Sequence, residues 1–539
     1  MAESHPPERV MKQPHRGTGR SRRPAGRSRL AALALASALL LGACAGTGSG
    51  SVAGKQLSLQ FTGPPISMNP AMAGNGGSTM FSALAYDPLV YLSGKGELVP
   101  DLATSWRYLD DTNTVFELTL RDGVTFSDGS SLDAEAAAAS MNYFLKAGGG
   151  LVGKVGAVKS IRATGPMTVR VTYAEPQSDA AMTMTQYYGI GNIIGPAGLA
   201  APQSLLTSSS GTGQYVYDGK ASVAGNTYVY KRNPRYFRPK ARHFDSVVIH
   251  VIGNANAVLS AARTGQVQYA SSGNANTADA AKRAGLTVRT APFYNWALNL
   301  VDREGRVAPP LADVRVRRAI ALAFDRPTMA KGLAGPYASP SGQMLLPGTD
   351  GHDPSLGYGY DVREAKKLLA EAGYPHGFRL TVLTQSLIDP NTTYSQAVAA
   401  ALEDIGIEVT LKVQTTGIGQ FTADALSKKY AVTLFPNVGT TTAEVASQVM
   451  SGAFNPFGSS DPELKALLGR AAAETDDEAR AELYRKASAR FQELTWFVPV
   501  FATKNISYAT KDLKNITSSV INPNPVPTGP RADLSWRLR

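Results

Sequence analysis

One thiol and six imidazoles are the chain's whole stock of groups for cysteine or imidazole chemistry. The thiol is Cys44, which ends the run Leu40-Leu41-Gly42-Ala43-Cys44. Upstream lies a basic segment with Arg16, Arg20, Arg22, Arg23, Arg27 and Arg29, then an apolar stretch from Leu30 to Leu41. That stretch is too short to span a bilayer as a mature helix. Basic, apolar, then small residues is the layout of a secretory signal peptide, here residues 1–43. Arg22-Arg23 runs into Pro24-Ala25-Gly26, a poor continuation for twin-arginine export. Four histidines lie beyond residue 43 (His243, His250, His352 and His376), and none is paired at ligand spacing, so no metal site and no cofactor are expected. The nucleophile-elbow, H-E-x-x-H, S-x-x-K and P-loop patterns do not occur in a supporting context, and no catalytic residue is expected.

A leucine, two small residues and a cysteine at the cleavage point resemble the lipobox of bacterial lipoproteins. The resemblance implies that the Cys44 thiol receives a diacylglycerol and becomes the mature N-terminus. Two or more acyl chains give lasting membrane anchorage that one chain does not. The leader holds eight Lys/Arg (from Arg9 and Lys12 to Arg29) and two acids (Glu3 and Glu8), so its removal takes the net charge from +12 to 12 − 6 = +6. No polybasic block survives, and nucleic-acid binding is disfavoured. Residues 44–55, rich in Gly, Ser and Ala, read as a flexible tether.

The elements behind the tether mix strands and helices. Val115 to Leu120 alternates at period two and reads as a half-buried strand, with turns at Asp122-Gly123 and Asp128-Gly129. A helix is predicted from Ala134 to Phe144, and strands over Thr227–Arg232 and Ser246–Val251. Asp313 caps a helix with Val314, Ile320, Ala323 and Phe324 inward and Arg315, Arg317 and Arg318 outward. Asp361 caps the next, ending at Gly373. Phe378–Leu383, Tyr394–Ile405 and Ile407–Val413 give strand, helix, strand, a βαβ unit of an α/β lobe. Helices over Glu463–Ala473 and Asp477–Glu493 precede an apolar strand, Trp496–Phe501.

Five motifs are similar to those of the extracellular solute-binding proteins, family 5, of oligopeptide, dipeptide and nickel ABC importers. Tyr86-Asp87-Pro88-Leu89-Val90 with Leu98-Val99-Pro100-Asp101-Leu102-Ala103-Thr104-Ser105-Trp106 resembles the family's opening. Phe116 to Gly129 resembles "F-x-L-R-x-G-V-x-F-x-D-G", and Gly211-Thr212-Gly213-Gln214-Tyr215 with Asn233-Pro234-Arg235-Tyr236-Phe237 resembles "G-T-G-P-Y … N-P-x-Y-W". Asp313 to Ile320 with Asp325-Arg326, then Tyr360 to Leu369 with Ala372-Gly373-Tyr374, complete the order. Most of these residues read as turns and core; Trp106 reads as a core anchor.

The resemblance implies an α/β, two-lobed periplasmic-binding-protein-like fold (type II, large cluster C class) with an extra subdomain in lobe one. Lobe one is expected over 56–292 with 502–539, and lobe two over 293–501. The implied function is a lipid-anchored extracytoplasmic solute-binding protein, a monomer at the outer face of the cell membrane. It would capture a peptide or other polar solute between its lobes and deliver it to ABC permease subunits. The other readings are a surface-tethered hydrolase and a signalling lipoprotein without transport. Ligand-facing positions carried over are Asn69 and Asn75 after the first strand, Tyr294, Asn295 and Trp296 at the crossover, and a lobe-two loop with Phe435, Asn437, Thr440, Thr441 and Thr442. Peptide binders place an acid in that loop for the α-amino group, and here no acid occurs between Tyr430 and Ala443. The ligand is therefore expected not to need a free α-amino group, unless another acid such as Glu444, the nearest, reaches the site.

Overall fold

Leu57 and Leu59 are fully buried in the strand Gln56–Phe61, which lies between two parallel neighbours, Ser246–Val251 and Tyr269–Gly273. A strand buried on both faces between parallel partners is the centre of a covered sheet. In the computed structural model, residues 55–73, 79–439 and 441–539 are described. The leader, Cys44 and the tether to residue 54 lie outside them, as do Asn75 and Thr440.

Beyond Ser246–Val251 the sheet continues antiparallel through Thr227–Arg232 and Tyr215–Tyr217. Its other half holds Phe378–Gln385, parallel to both Ile407–Gln414 and Val432–Asn437, with the helix Thr393–Glu403 as the connection of a βαβ unit. Two long strands join the halves. The outgoing strand Thr287–Leu300 and the return strand Phe497–Ala509 pair antiparallel almost end to end. Their ladder shifts register between Pro292 and Tyr294, and again between Trp296 and Ala297 opposite Phe501 and Pro499. Each break sits at a proline, which has no N–H for the ladder and is tolerated at a bulge.

The interior is divided in the same way. One core draws on residues from Leu57 to Tyr269 and then from Ala509 to Trp536. A second draws only on residues from Trp296 to Phe501. The return strand supplies Val498, Val500 and Phe501 to the second and Ala509 to the first. A separate four-stranded antiparallel sheet, ordered Ala103–Tyr108, Val115–Leu120, Thr168–Tyr173, Val158–Gly165, carries the helix Ala134–Ala147. The Asp133 side chain caps that helix by accepting from the Ala136 N–H at 2.8 Å, and Gly148 at φ +69° ends it. Phe116, Leu118, Val169 and Val171 of the sheet meet Met141 and Phe144 of the helix in the first core.

The helix Val314–Leu322 does not present all three of its arginines outward. Arg317 does not face solvent: it is 6 % exposed and donates to the carbonyls of Leu494, Leu311 and Ala312. Arg326, 4 % exposed, likewise donates to the Ser341, Pro499, Tyr358 and Ala321 carbonyls. These guanidiniums satisfy carbonyls left over at helix and loop ends, a task that the planar five-donor fork suits. Arg315 and Arg318 are exposed as expected.

Candidate functional site

A cavity of about 510 Å³ opens where the paired long strands meet the segments around them. That volume lies within the range of small-molecule sites. The end of the first strand supplies Phe61 and Thr62, and the outgoing strand supplies Phe293 and Tyr294. Ile388, Ile418, Phe435 and Pro436 form another wall, with Ile506 and Val520 near the C-terminal end. The aromatic surfaces are held by other rings. Phe293 and Tyr294 lie 4.3 Å apart between ring centroids, and Phe435 stacks on Phe421 at 4.6 Å. Rings held by other rings give a ligand flat walls that need no rearrangement.

Polar groups line one flank. Asn505 donates to the Pro523 carbonyl at 3.0 Å and to Asn524 Oδ1 at 2.8 Å, and Asn524 in turn donates to the Tyr187 hydroxyl at 3.3 Å. Three charged residues border the cavity among the described residues: Lys154, Glu444 and Lys504. Lys154 Nζ donates to Glu444 Oε1 at 2.7 Å, and the Tyr188 hydroxyl donates to Glu444 Oε2 at 3.2 Å. Lys504 Nζ donates to the Pro336 carbonyl at 3.0 Å. Glu444 lies in the first turn of the helix Thr442–Met450, whose cap, the Thr441 hydroxyl, accepts from the Glu444 N–H at 3.1 Å. Gly439 lets the chain approach that helix, for a Cβ there would sit 2.4 Å from Val445 Cγ2.

Residues 97–456, more than half of the chain, match the profile described as "Bacterial extracellular solute-binding proteins, family 5 Middle". The chain belongs to that family. Two curated relatives of this family 5 protein lie at 25 % identity. The first, a probable di/tripeptide-binding protein 5 of Pseudomonas aeruginosa, aligns over 76 % of this chain and 82 % of its own length. The second, the glutathione-binding protein GsiB of Escherichia coli, aligns over 90 % and 95 %. The periplasmic binding protein DppA from Helicobacter pylori, solved with the peptide STSA, superposes with a TM-score of 0.73 at 22 % identity, covering 90 % of this chain and 98 % of that one. The fold is thus the two-lobed α/β binding-protein fold.

Within the family 5 protein, the anticipated ligand positions separate. Tyr294 and Phe435 line the cavity. Burial pushes the Tyr294 hydroxyl pKa up. Asn295, one step along the strand, turns to the opposite face, where it donates to the Gln343 and Met344 carbonyls at 3.0 and 2.9 Å. Trp296 shares Tyr294's face but is 2 % exposed, stacked on Phe501 and bonded through Nε1 to Thr503 Oγ1 at 3.1 Å. Asn69 caps the short helix Pro70–Met72 and donates to the Tyr143 hydroxyl at 2.8 Å. Asn437 is 2 % exposed with neither amide atom partnered, while its neighbours Pro436 and Val438 line the cavity. Thr441 is the helix cap just described, and Thr442 bonds to Asp350 by its N–H at 3.0 Å and by its hydroxyl. Asn75, Thr440 and Cys44 fall outside the described residues.

Sequence reasoning passed over Lys154, Tyr188, Ser271, Ile418 and Asn524. No motif marks them, because each is brought in from a segment remote in the chain. Glu444 carried a readable signal, being the first acid after the loop, and the fold turns it toward the cavity. Among the described residues, no group of three or more His, Cys, Asp or Glu is placed to hold a metal ion, and no helix is long and apolar enough to cross a membrane.

Proposed function

We propose that this family 5 protein is the extracytoplasmic receptor of an ABC importer, tethered by lipid at Cys44, that captures a short peptide or peptide-like polar solute and hands it to the permease without chemical change. The observation that carries this reading is the cavity, bordered by elements of both cores and by the strands that join them. The di/tripeptide- and glutathione-binding relatives favour a ligand of peptide chemistry. In this reading lobe one comprises residues 56–292 and 502–539, lobe two comprises 293–501, and the four-stranded sheet with its helix is the extra subdomain. In the same reading the protein acts as a monomer.

Mass spectrometry of the solute released from protein purified under native conditions tests the reading. A peptide or amide-linked compound is expected. A sugar or a metal chelate as the sole tightly held species would refute it. The anchor is tested separately: Cys44→Ser should leave the protein soluble or as an uncleaved precursor, and normal processing with membrane retention would overturn the lipid assignment.

A further inference from the structure

The acid at the cavity is already matched by the protein. Both carboxylate oxygens of Glu444 are engaged, Oε1 by the Lys154 ammonium at 2.7 Å and Oε2 by the Tyr188 hydroxyl at 3.2 Å. The Glu444 side chain is 14 % exposed and that of Lys154 is 37 % exposed, so the carboxylate is largely withdrawn from water while the ammonium keeps contact with it. Lys154 ends the short helix Val152–Lys154, just beyond the Gly148-Gly149-Gly150 break, and reaches Glu444 across 290 residues of sequence. With Lys504 as the third charged border residue, the described wall carries two cations and one anion.

We infer that Lys154 is a built-in substitute for a ligand's α-amino group, and that this site selects peptide-like ligands whose amino end is acylated or otherwise uncharged while their other end carries a carboxylate. A free peptide ammonium could pair with Glu444 only in competition with Lys154, and the wall would then hold one more cation for the same carboxylate. The exchange sets one ammonium in place of another at the same carboxylate, so a free amine gains no ion pair that the protein does not already have. A ligand with a neutral amide at that end leaves the pair intact; its N–H can donate to the Tyr188 hydroxyl oxygen and its carbonyl can accept from the second amide hydrogen of Asn524. Its carboxylate balances the surplus cation, and Lys504 uses only one of its ammonium hydrogens on Pro336. The cavity's aromatic and aliphatic walls take the side chains. The inference rests on the peptide reading of the site and fixes its substrate class.

The test uses the full soluble chain from residue 45 onward, screened by thermal shift against the set of natural dipeptides and the same set N-acetylated, followed by calorimetry on the best matched pair. The acetylated twin is expected to bind at least as tightly as the free peptide, within about threefold. Lys154→Met, with its fold checked by circular dichroism, should reverse the preference, favouring the free amine by about tenfold. A tenfold or greater loss on acetylation in the unaltered protein would overturn the inference while leaving the peptide reading in place. An unchanged preference in Lys154→Met would overturn it too. If neither set shifts the protein, the peptide reading falls, and this inference with it.

Discussion

Two carboxyl groups and one guanidinium share the floor of the first core. Asp87 and Asp101 are 5 % and 1 % exposed; the Arg238 guanidinium bonds to Asp101, and the Thr212 hydroxyl reaches Asp87 at 3.4 Å. Burial, then the neighbouring Asp101 charge, hold the Asp87 pKa well above the usual carboxylate range, and burial pushes Asp101 up to about 6 despite Arg238. The sign follows. A carboxyl whose pKa is higher folded than unfolded gives stability that is complete below its ordinary value, 3.8, and is lost as pH rises through its folded value, about 6 for Asp101. Asp87→Asn keeps the shape and removes the costly charge. It should raise stability by about 1–3 kcal/mol near neutral pH and change little near pH 4. Thermal unfolding across that range measures this, and an unchanged Tm at neutral pH would contradict it. Sequence offered the Asp87 and Asp101 motifs but not the pairing of Asp101 with Arg238, which lies 137 residues further on. Caps were legible for the opposite reason. Asp133, Asp313 and Asp361 each accept an N–H two or three residues ahead, so type and spacing suffice to reveal them.

Between elements, the link with the clearest geometry runs from the turn before the strand Val115–Leu120 to the end of the helix Pro462–Ala473. Asn113, at φ +55° and 1 % exposed, donates its side-chain amide to the carbonyls of Ala472 at 3.1 Å and Glu474 at 3.0 Å. The last carbonyls of a helix lack partners within it, and here a residue belonging to the proposed first lobe caps a helix of the second. Nearby, Ser178 Oγ and the Tyr484 hydroxyl approach to 3.4 Å across the same divide. Asn113→Gly suits the left-handed backbone and removes only the amide. Two hydrogen bonds at about 0.5–1.5 kcal/mol each would then be missing from the closed arrangement, shifting the lobes toward open by roughly fivefold to a hundredfold. With Cys44 the only native cysteine, dyes on one engineered cysteine per lobe report the distance by energy transfer. An unaltered distance distribution in Asn113→Gly would show that the contact holds nothing. The strands and helices that flank this link were readable in sequence almost to the residue, as at Val115–Leu120 and Thr227–Arg232. Period-two alternation between turn signals needs no distant partner. The length of the two joining strands was not readable. Their ladder runs through prolines and bulges that break the alternation, so only the apolar segments near Phe293 and Trp496 stood out.

For the molecule as a whole, the proposed two-lobed reading places any hinge in the joining strands. Bulges at Pro292–Tyr294 and opposite Pro499 leave ladder hydrogen bonds unmade in the middle of the joining pair. Hinges absorb their rotation at a few such positions, while the packed cores on either side move as units. A body of this size has a radius of gyration of about 23 Å when compact. Hinge opening should enlarge it by on the order of 1 Å, a change that solution scattering resolves. The contacts that favour closure come from two sources. The Lys154–Glu444 and Asn113 links belong to the protein, whereas any contact through the cavity belongs to the ligand. A ligand shifts the equilibrium only by its differential affinity for the closed state. Scattering on the unaltered protein should therefore show a modest contraction with ligand. Asn113→Gly combined with Glu444→Gln, which loosens both links, should start from a larger radius and contract further when ligand is added in excess. Equal radii for the unaltered and doubly altered proteins before ligand is added would mean that closure does not depend on these links, and the hinge would then be governed by the ligand alone.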